Sequence, residues 1–312
     1  MYYYFSKFKN LNIKNNNYTL LNIFIDSPYI YLLKNGNLIS GLEEGTIEIY
    51  DKNSFEVKLK IKEHSEYINS INQLNDERII SCSGDKTAKI IELKENNKYE
   101  VVQTLIGHTL SVYKVIEIRN NELVSISEDN TMKIWTLKLK SFKCTNTIKI
   151  SEKDDNVFNI LKLNENELVI SSSEDNFLKF YNSNNYKNIS ILNNIKVTSS
   201  LDNMALLNDD VFCVYGSKGF YLIKISTHQM IKNIMKDQEI KSMFQCFDKN
   251  ILCSISTENT GINHSFIKYK YENEDLITVF EKNTGDYYDS IVENENGNII
   301  VVGCAYILKL FS

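Results

Sequence analysis

Proline is almost missing from this chain. Pro28 is the only one among 312 residues, so nothing else would interrupt a fold built mostly of paired strands. Basic charge is not in excess: the net charge is -5 and the pI about 5.6, which argues against nucleic-acid phosphates as the main partner and favours other proteins. No apolar run is long enough to span a bilayer, and the opening MYYYFSKFKN lacks the apolar core and small-residue cleavage site of a secretory signal. The six cysteines never form a C-x-x-C pair. That pattern fits reduced thiols in an intracellular, cytoplasmic setting better than a disulfide frame or zinc site, and packing is the role expected of Cys82, Cys213 and Cys253. The four histidines (His64, His108, His228, His264) give no H-E-x-x-H pair, so no metal is expected. There is no Gly-rich phosphate loop either, since Gly216-Ser217-Lys218-Gly219 reads as a hairpin turn; no cofactor is expected.

What the chain does have is repetition. The stretch from Gly107 to Trp135 holds two alternating runs, Val112 to Ile118 and Leu123 to Ser127, separated by Arg119-Asn120-Asn121-Glu122. Alternation at period two predicts half-buried strands, and the Asn-rich break predicts a turn. Three other stretches copy this one. Ser40, Ser81, Ser125 and Ser171 are each followed four residues later by an acid (Glu44, Asp85, Asp129, Asp175) and six residues after that by Tyr50, Ile91, Trp135 or Tyr181. The last positions lie 41, 44 and 46 residues apart, close to the roughly 40–45 residues of a four-stranded propeller blade.

On Gly107-His108, Ser125, Asp129 and Trp135 together, the chain resembles the WD40-repeat β-propeller family. The resemblance implies a hydrogen-bonded tetrad in which His, Ser, Asp and Trp tie a blade's strands to its loop. The second repeat matches with His64, Ser81 and Asp85, but Ile91 stands where Trp belongs; the fourth keeps Ser171 and Asp175, with Tyr181 for Trp and Asp154 for His. The first keeps Ser40, has Glu44 for the acid and lacks the histidine. Beyond residue 196 the motif fades while the strand rhythm continues. The expected fold is an all-β, seven-bladed propeller of four-stranded antiparallel blades, at approximately 29–61, 64–105, 108–150, 154–195, 199–234, 240–282 and 287–312. The last blade is one strand short, and residues 18–25 are expected to supply it and close the ring. A single propeller over 18–312 then follows a leader, 1–17, read as an extra strand or a tail. The segment from Tyr2 to Phe8 is a weaker rival for the closing strand, and its aromatic cluster reads as a tucked-in plug or a partner anchor.

His108, Ser125 and Asp129 are also the residue types of a hydrolase triad. A nucleophilic serine needs an exposed hydroxyl and an oxyanion hole, whereas Ser125 lies mid-strand, so no catalytic residue is expected. The family resemblance places partner contacts on one loop rim. There the candidate binding residues are Glu43, Glu66, Glu128, Asp154, Asp155 and Glu174; in the position just before the tetrad acid, three residues of four are acidic (Glu43, Gly84, Glu128, Glu174), which favours a basic or mixed peptide segment. The function expected is a non-catalytic protein-interaction scaffold, with no direct nucleic-acid contact and no membrane insertion. Two alternatives stand beside it. One is a structural subunit of a large multiprotein or ribonucleoprotein assembly, in which case Met230, Ile231, Val279 and Phe280 should be exposed in the isolated chain. The other is an enzyme or small-ligand binder using the central channel, for which the inner-strand residues Asn69, Lys114, Asn159 and Asn203 look too sparse. The turns Asn182 to Asn188 and Glu258 to Asn263 read as plain connections.

Overall fold

The computed structural model describes residues 13–15, 18–21, 30–151, 157–172, 177–193, 195, 204–216, 219–234, 239–246, 248–257, 263–283, 290–293, 299–303 and 306–310. These residues form seven antiparallel sheets, the blades of a propeller, and no helix occurs among them. Blade 1 runs outward through Ile30–Leu32, Leu38–Gly41, Thr46–Tyr50 and Val57–Lys62. Blade 2 comprises Ile68–Gln73, Ile79–Ser83, Thr87–Lys94 and Lys98–Ile106, and blade 3 Val112–Arg119, Glu122–Ser127, Thr131–Lys138 and Ser141–Lys149. Four-stranded blades 4, 5 and 6 span 157–193, 204–234 and 239–283.

The seventh sheet closes the ring. Ser290–Glu293, Ile299–Gly303 and Tyr306–Leu310 supply its inner strands, and Tyr18–Leu21 pairs antiparallel with Tyr306–Leu310 from Tyr18 opposite Leu310 to Leu21 opposite Ile307. Ile13–Asn15, within the leader, adds a fifth strand outside it. The rival closing segment, Tyr2 to Phe8, lies outside the described residues. Around the centre each blade touches the next, blade 7 returning to blade 1 through Ser290–Glu293 and Ile30–Leu32.

The core is a series of layers between blades. Ile39, Ile47 and Ile49 of blade 1 pack with Ile71, Ile79 and Ile91 of blade 2, while Ile80, Cys82 and Ile90 turn the other way onto Val115, Leu123 and Trp135 of blade 3. A second strand is therefore covered on both faces. Leu123–Ser127 shows this: every residue after Glu122 is buried, where the alternation had suggested one wet face. Ser125 and Ser127 occupy buried positions because each has hydrogen-bond partners inside the protein.

A recurring irregularity marks the repeat. Where the third strand meets the outer strand, register slips by one residue beside Tyr50, Ile91, Trp135, Tyr181, Ile223 and Tyr269 in blades 1 to 6 in turn. A bulge of this kind leaves one residue unpaired and sharpens the local twist. It persists in blades 5 and 6, where the sequence motif has faded.

Side chains also stitch neighbouring blades. Asn69 Nδ2 donates to Ser111 Oγ and to the carbonyl of Val112, both at 2.8 Å; Asn72 Nδ2 reaches the carbonyl of Val115 at 2.8 Å; and Lys114 Nζ donates to Asn159 Oδ1 at 3.0 Å. Three of the four inner-strand residues that looked sparse are thus joined to the neighbouring blade; Asn203 lies outside the described residues.

Candidate functional site

The loop rim is built on a tetrad in blade 3 and a three-membered version of it in blade 2. In blade 3, Trp135 Nε1 donates to Ser125 Oγ at 2.9 Å, His108 Nε2 lies 2.7 Å from that same oxygen, and His108 Nδ1 lies 2.9 Å from Asp129 Oδ2. One proton arrangement satisfies the whole chain: indole N–H to serine oxygen, serine O–H to Nε2, Nδ1–H to carboxylate. Asp129 then anchors the loop, accepting the Thr109 backbone N–H at 2.9 Å, the Thr131 hydroxyl at 2.6 Å and the Thr131 N–H at 3.0 Å. Burial opposes the charge on Asp129, yet these donors outweigh it and hold the carboxyl well below the usual carboxylate range. Ser125 is only 1% exposed and its oxygen is occupied from both sides, so it offers no hydroxyl to a substrate.

Blade 2 repeats this network without the indole. His64 Nδ1 lies 2.7 Å from Asp85 Oδ2, and Nε2 lies 2.9 Å from Ser81 Oγ. Burial lowers the affinity of His64 for a proton, outweighing the opposing pull of Asp85. Blade 4 places Ser171 and Tyr181 in its buried second and third strands, while Asp154 and Asp175 lie outside the described residues.

On this rim, Glu43, Glu44 and Glu66 are exposed and Glu128 half-exposed. Glu44 accepts the Thr46 hydroxyl at 2.8 Å and Glu63 the Tyr99 hydroxyl at 3.0 Å, so both are partly held by the fold. Gly84 interrupts the run of acids before the tetrad acid. A Cβ at that position would lie 2.8 Å from Glu66 Oε2 and 2.7 Å from the Tyr67 ring: the carboxylate of Glu66 occupies the place a side chain at 84 would take. Asp155 and Glu174 lie outside the described residues. Sequence reasoning missed Tyr67 and Leu110, which sit 44% and 43% exposed on the loops beside these acids.

The opposite face holds a clamp that the sequence reading treated as a plain turn. Tyr186 is buried and its hydroxyl donates to Glu122 Oε1 at 2.5 Å, while Arg119 Nη2 donates to the Ser183 carbonyl at 2.8 Å and to Asn184 Oδ1 at 3.2 Å. An aromatic residue inside an Asn-rich turn was the available signal. Of the turn from Glu258 to Asn263, only Asn263 is among the described residues.

Among the described residues, Cys246, Asp248 and Glu293 form the one cluster of metal-ligating types. Lys268 already fills it, its ammonium donating to Glu293 Oε1 at 2.8 Å and Asp248 Oδ2 at 2.9 Å. Buried Cys82 and Cys213 are packing residues, their thiols pushed up to about 12 by burial.

The family model described as "WD domain, G-beta repeat" matches residues 55–92 and 99–136. Each match takes the outer strand of one blade and the three inner strands of the next, the stagger that couples neighbouring blades. Two repeats of the chain, 55–92 and 99–136, are WD40 repeats, and they sit in a seven-bladed β-propeller. Similar solved structures include a chain of a mitotic checkpoint complex (TM-score 0.72, 12% identity, covering 100% of this chain and 98% of that one). U3-55K gives a TM-score of 0.73 at 13% identity over 94% and 98% of the two chains, and the WD40 β-propeller domain of Doa1 gives 0.67 at 17% over 95% and 96%. At these identities the likeness is one of fold. No curated protein matches the chain by sequence. No helix among the described residues is long and apolar enough to cross a membrane.

Proposed function

We propose that this WD40 propeller is a non-catalytic interaction scaffold, a single domain over 18–312 whose loop rim docks basic or mixed peptide segments of other proteins. The observation that carries the reading is the rim's charge on a rigid base. Glu43, Glu66 and Glu128 crown three successive blades, Glu66 reaching across Gly84 to keep the row of acids continuous, and the histidine networks of blades 2 and 3 hold the loops of Glu66 and Glu128 fixed. Fixed charges steer a complementary partner and cost little ordering on binding. Asp154, Asp155 and Glu174 extend the same row by sequence position. The polar groups that could have served catalysis, His108, Ser125 and Asp129, are consumed by one another.

The test is capture of partners from the protein's own cells with the wild type and a Glu66→Lys, Glu128→Lys variant. The variant should melt like the wild type and lose a defined set of proteins. Retention of every partner by a folded variant refutes the rim.

A second reading, structural subunit of a larger assembly, draws on the outer strands of blades 5 and 6. Met230, Val279 and Phe280 are 47%, 51% and 37% exposed, while Ile231 packs against the core instead. Exposed apolar side chains on outer strands are suited to burial against neighbours. If this reading holds, the rim variant and the wild type capture one and the same large complex, and Val279→Ser with Met230→Ser releases it.

A further inference from the structure

Blades 1 and 2 leave a cleft between them, away from the acidic rim. Ile49, Leu59 and Leu93 line its apolar part; the turn at Asn35 and Asn37 borders it on blade 1, and the hairpin from Lys94 to Lys98 borders it on blade 2. Asn96 and Asn97 both adopt left-handed backbone (φ 57° and 54°), a turn that short polar side chains tolerate and that fixes this wall tightly. The cleft holds about 250 Å³. Pockets that enclose drug-sized ligands run roughly 300–1,000 Å³, so this one suits one or two side chains rather than a cofactor.

The polar border is rich in unused donors. Asn35 Oδ1 already accepts the Asn37 N–H at 3.0 Å, and Asn37 Oδ1 accepts the Lys52 N–H at 3.2 Å, so the acceptors of both amides are engaged while their NH₂ groups donate to nothing among the described residues. Lys94 is tied to Glu92 at 2.7 Å and Glu100 at 3.3 Å. The ammonium groups of exposed Lys58 and Lys98 make no ion pair or hydrogen bond among the described residues. Three lysines against Glu95 alone line this cleft, in a protein whose net charge is -5.

We propose that this cleft is a second docking site, for an acidic peptide segment that seats one aliphatic or aromatic side chain on Leu59 and Leu93 and places its carboxylates on Lys58, Lys98 and the amides of Asn35 and Asn37. Surplus donors call for an acceptor-rich ligand, and the apolar part calls for an anchor; a short acidic segment with one apolar residue meets both needs. The site is independent of the rim. It would let the propeller hold partners of opposite charge on separate surfaces.

The experiment is panning of a random peptide display library against the full chain, followed by affinity measurement of the enriched peptides. Peptides with Asp or Glu flanking Leu, Ile or Phe are expected. Their affinity should fall more than about tenfold in Lys58→Glu, Lys98→Glu and stay unchanged in Lys138→Glu, Lys140→Glu, a reversal elsewhere on the surface. Both variants should melt like the wild type, and the methyl resonances of Leu59 and Leu93 should shift on binding. Enriched peptides that are neutral or basic, binding equally reduced by either reversal, or no enrichment at all would overturn the site. Displacement of the peptide by inorganic phosphate alone, with no dependence on its apolar residue, would also overturn it, in favour of a simple anion site.

Discussion

Trp135 is the residue on which blade 3 depends twice. Its ring is 3% exposed and packs in the layer with Ile90 and Leu105 of blade 2, and its indole N–H is one of the two contacts that hold Ser125 Oγ. Trp135→Ala should therefore cost about 3–5 kcal/mol in urea unfolding, through the lost aromatic and the cavity left behind. Trp135→Phe, which keeps most of the apolar contact and loses one hydrogen bond, should cost much less. His64 makes a pH-dependent prediction. Burial holds its folded pKa below the ordinary histidine value of about 6.5, so the unfolded chain binds the proton first as pH falls. The stability it contributes is present above about pH 6.5 and is lost on acidification toward its folded pKa. Between about pH 7.5 and 5.5 the wild type should lose melting temperature more steeply than His64→Asn; equal slopes would remove His64 as the cause. Asp129 has the same sign in a lower window, its lowered pKa making its contribution fade only below about pH 4.

At the scale of the element, the turns between second and third strands separate stability from binding. In blade 1, Gly45 has φ +80°, and an added Cβ would lie 2.5 Å from the carbonyl oxygen of His64 and 2.6 Å from that of Glu66. Backbone cannot step aside, so Gly45→Ala should cost about 2–4 kcal/mol from left-handed strain and overpacking together. In blade 2 the same addition at Gly84 meets only the far ends of Tyr67 and Glu66, which can swing out. Gly84→Ala should change stability by less than about 1 kcal/mol, yet weaken rim partners by displacing Glu66. The same turns show what a sequence can reveal. Serine and acid at fixed spacing located them in blades 2 and 3, because a hydrogen-bonded network demands specific residue types. The bulges at Ile223 and Tyr269 take the place of Trp135 in blades 5 and 6 but went unseen, since any bulky apolar residue can fill that position once packing replaces the tetrad. Full burial of Leu123–Ser127 was also hidden, because a serine held inside by hydrogen bonds looks the same in sequence as one facing water. The cleft between blades 1 and 2 was illegible for another reason: its parts are brought together only when the two blades pack.

The whole molecule stands on closure. Neighbouring blades share an apolar layer, so each blade is stabilised on two sides only if the ring is complete. The layer between blades 7 and 1 joins Val292 and Ile300 to Ile30, Leu38 and Tyr50, residues from opposite ends of the chain. Tyr18–Leu21 keeps them together by pairing with Tyr306–Leu310. The entropy of closing so long a loop grows only as the logarithm of its length, so a short strand can hold the ring provided the layer beneath it is well packed. Deleting residues 1–25 should remove the strand, leave Tyr306–Leu310 as an open edge and expose the layer between blades 7 and 1. The expected product is insoluble, or melts over a broad range at lower temperature than the full chain. A truncated protein that stays monomeric and melts as one sharp transition near the full chain's temperature would show that the layers alone close the ring, with Tyr18–Leu21 merely covering its seam.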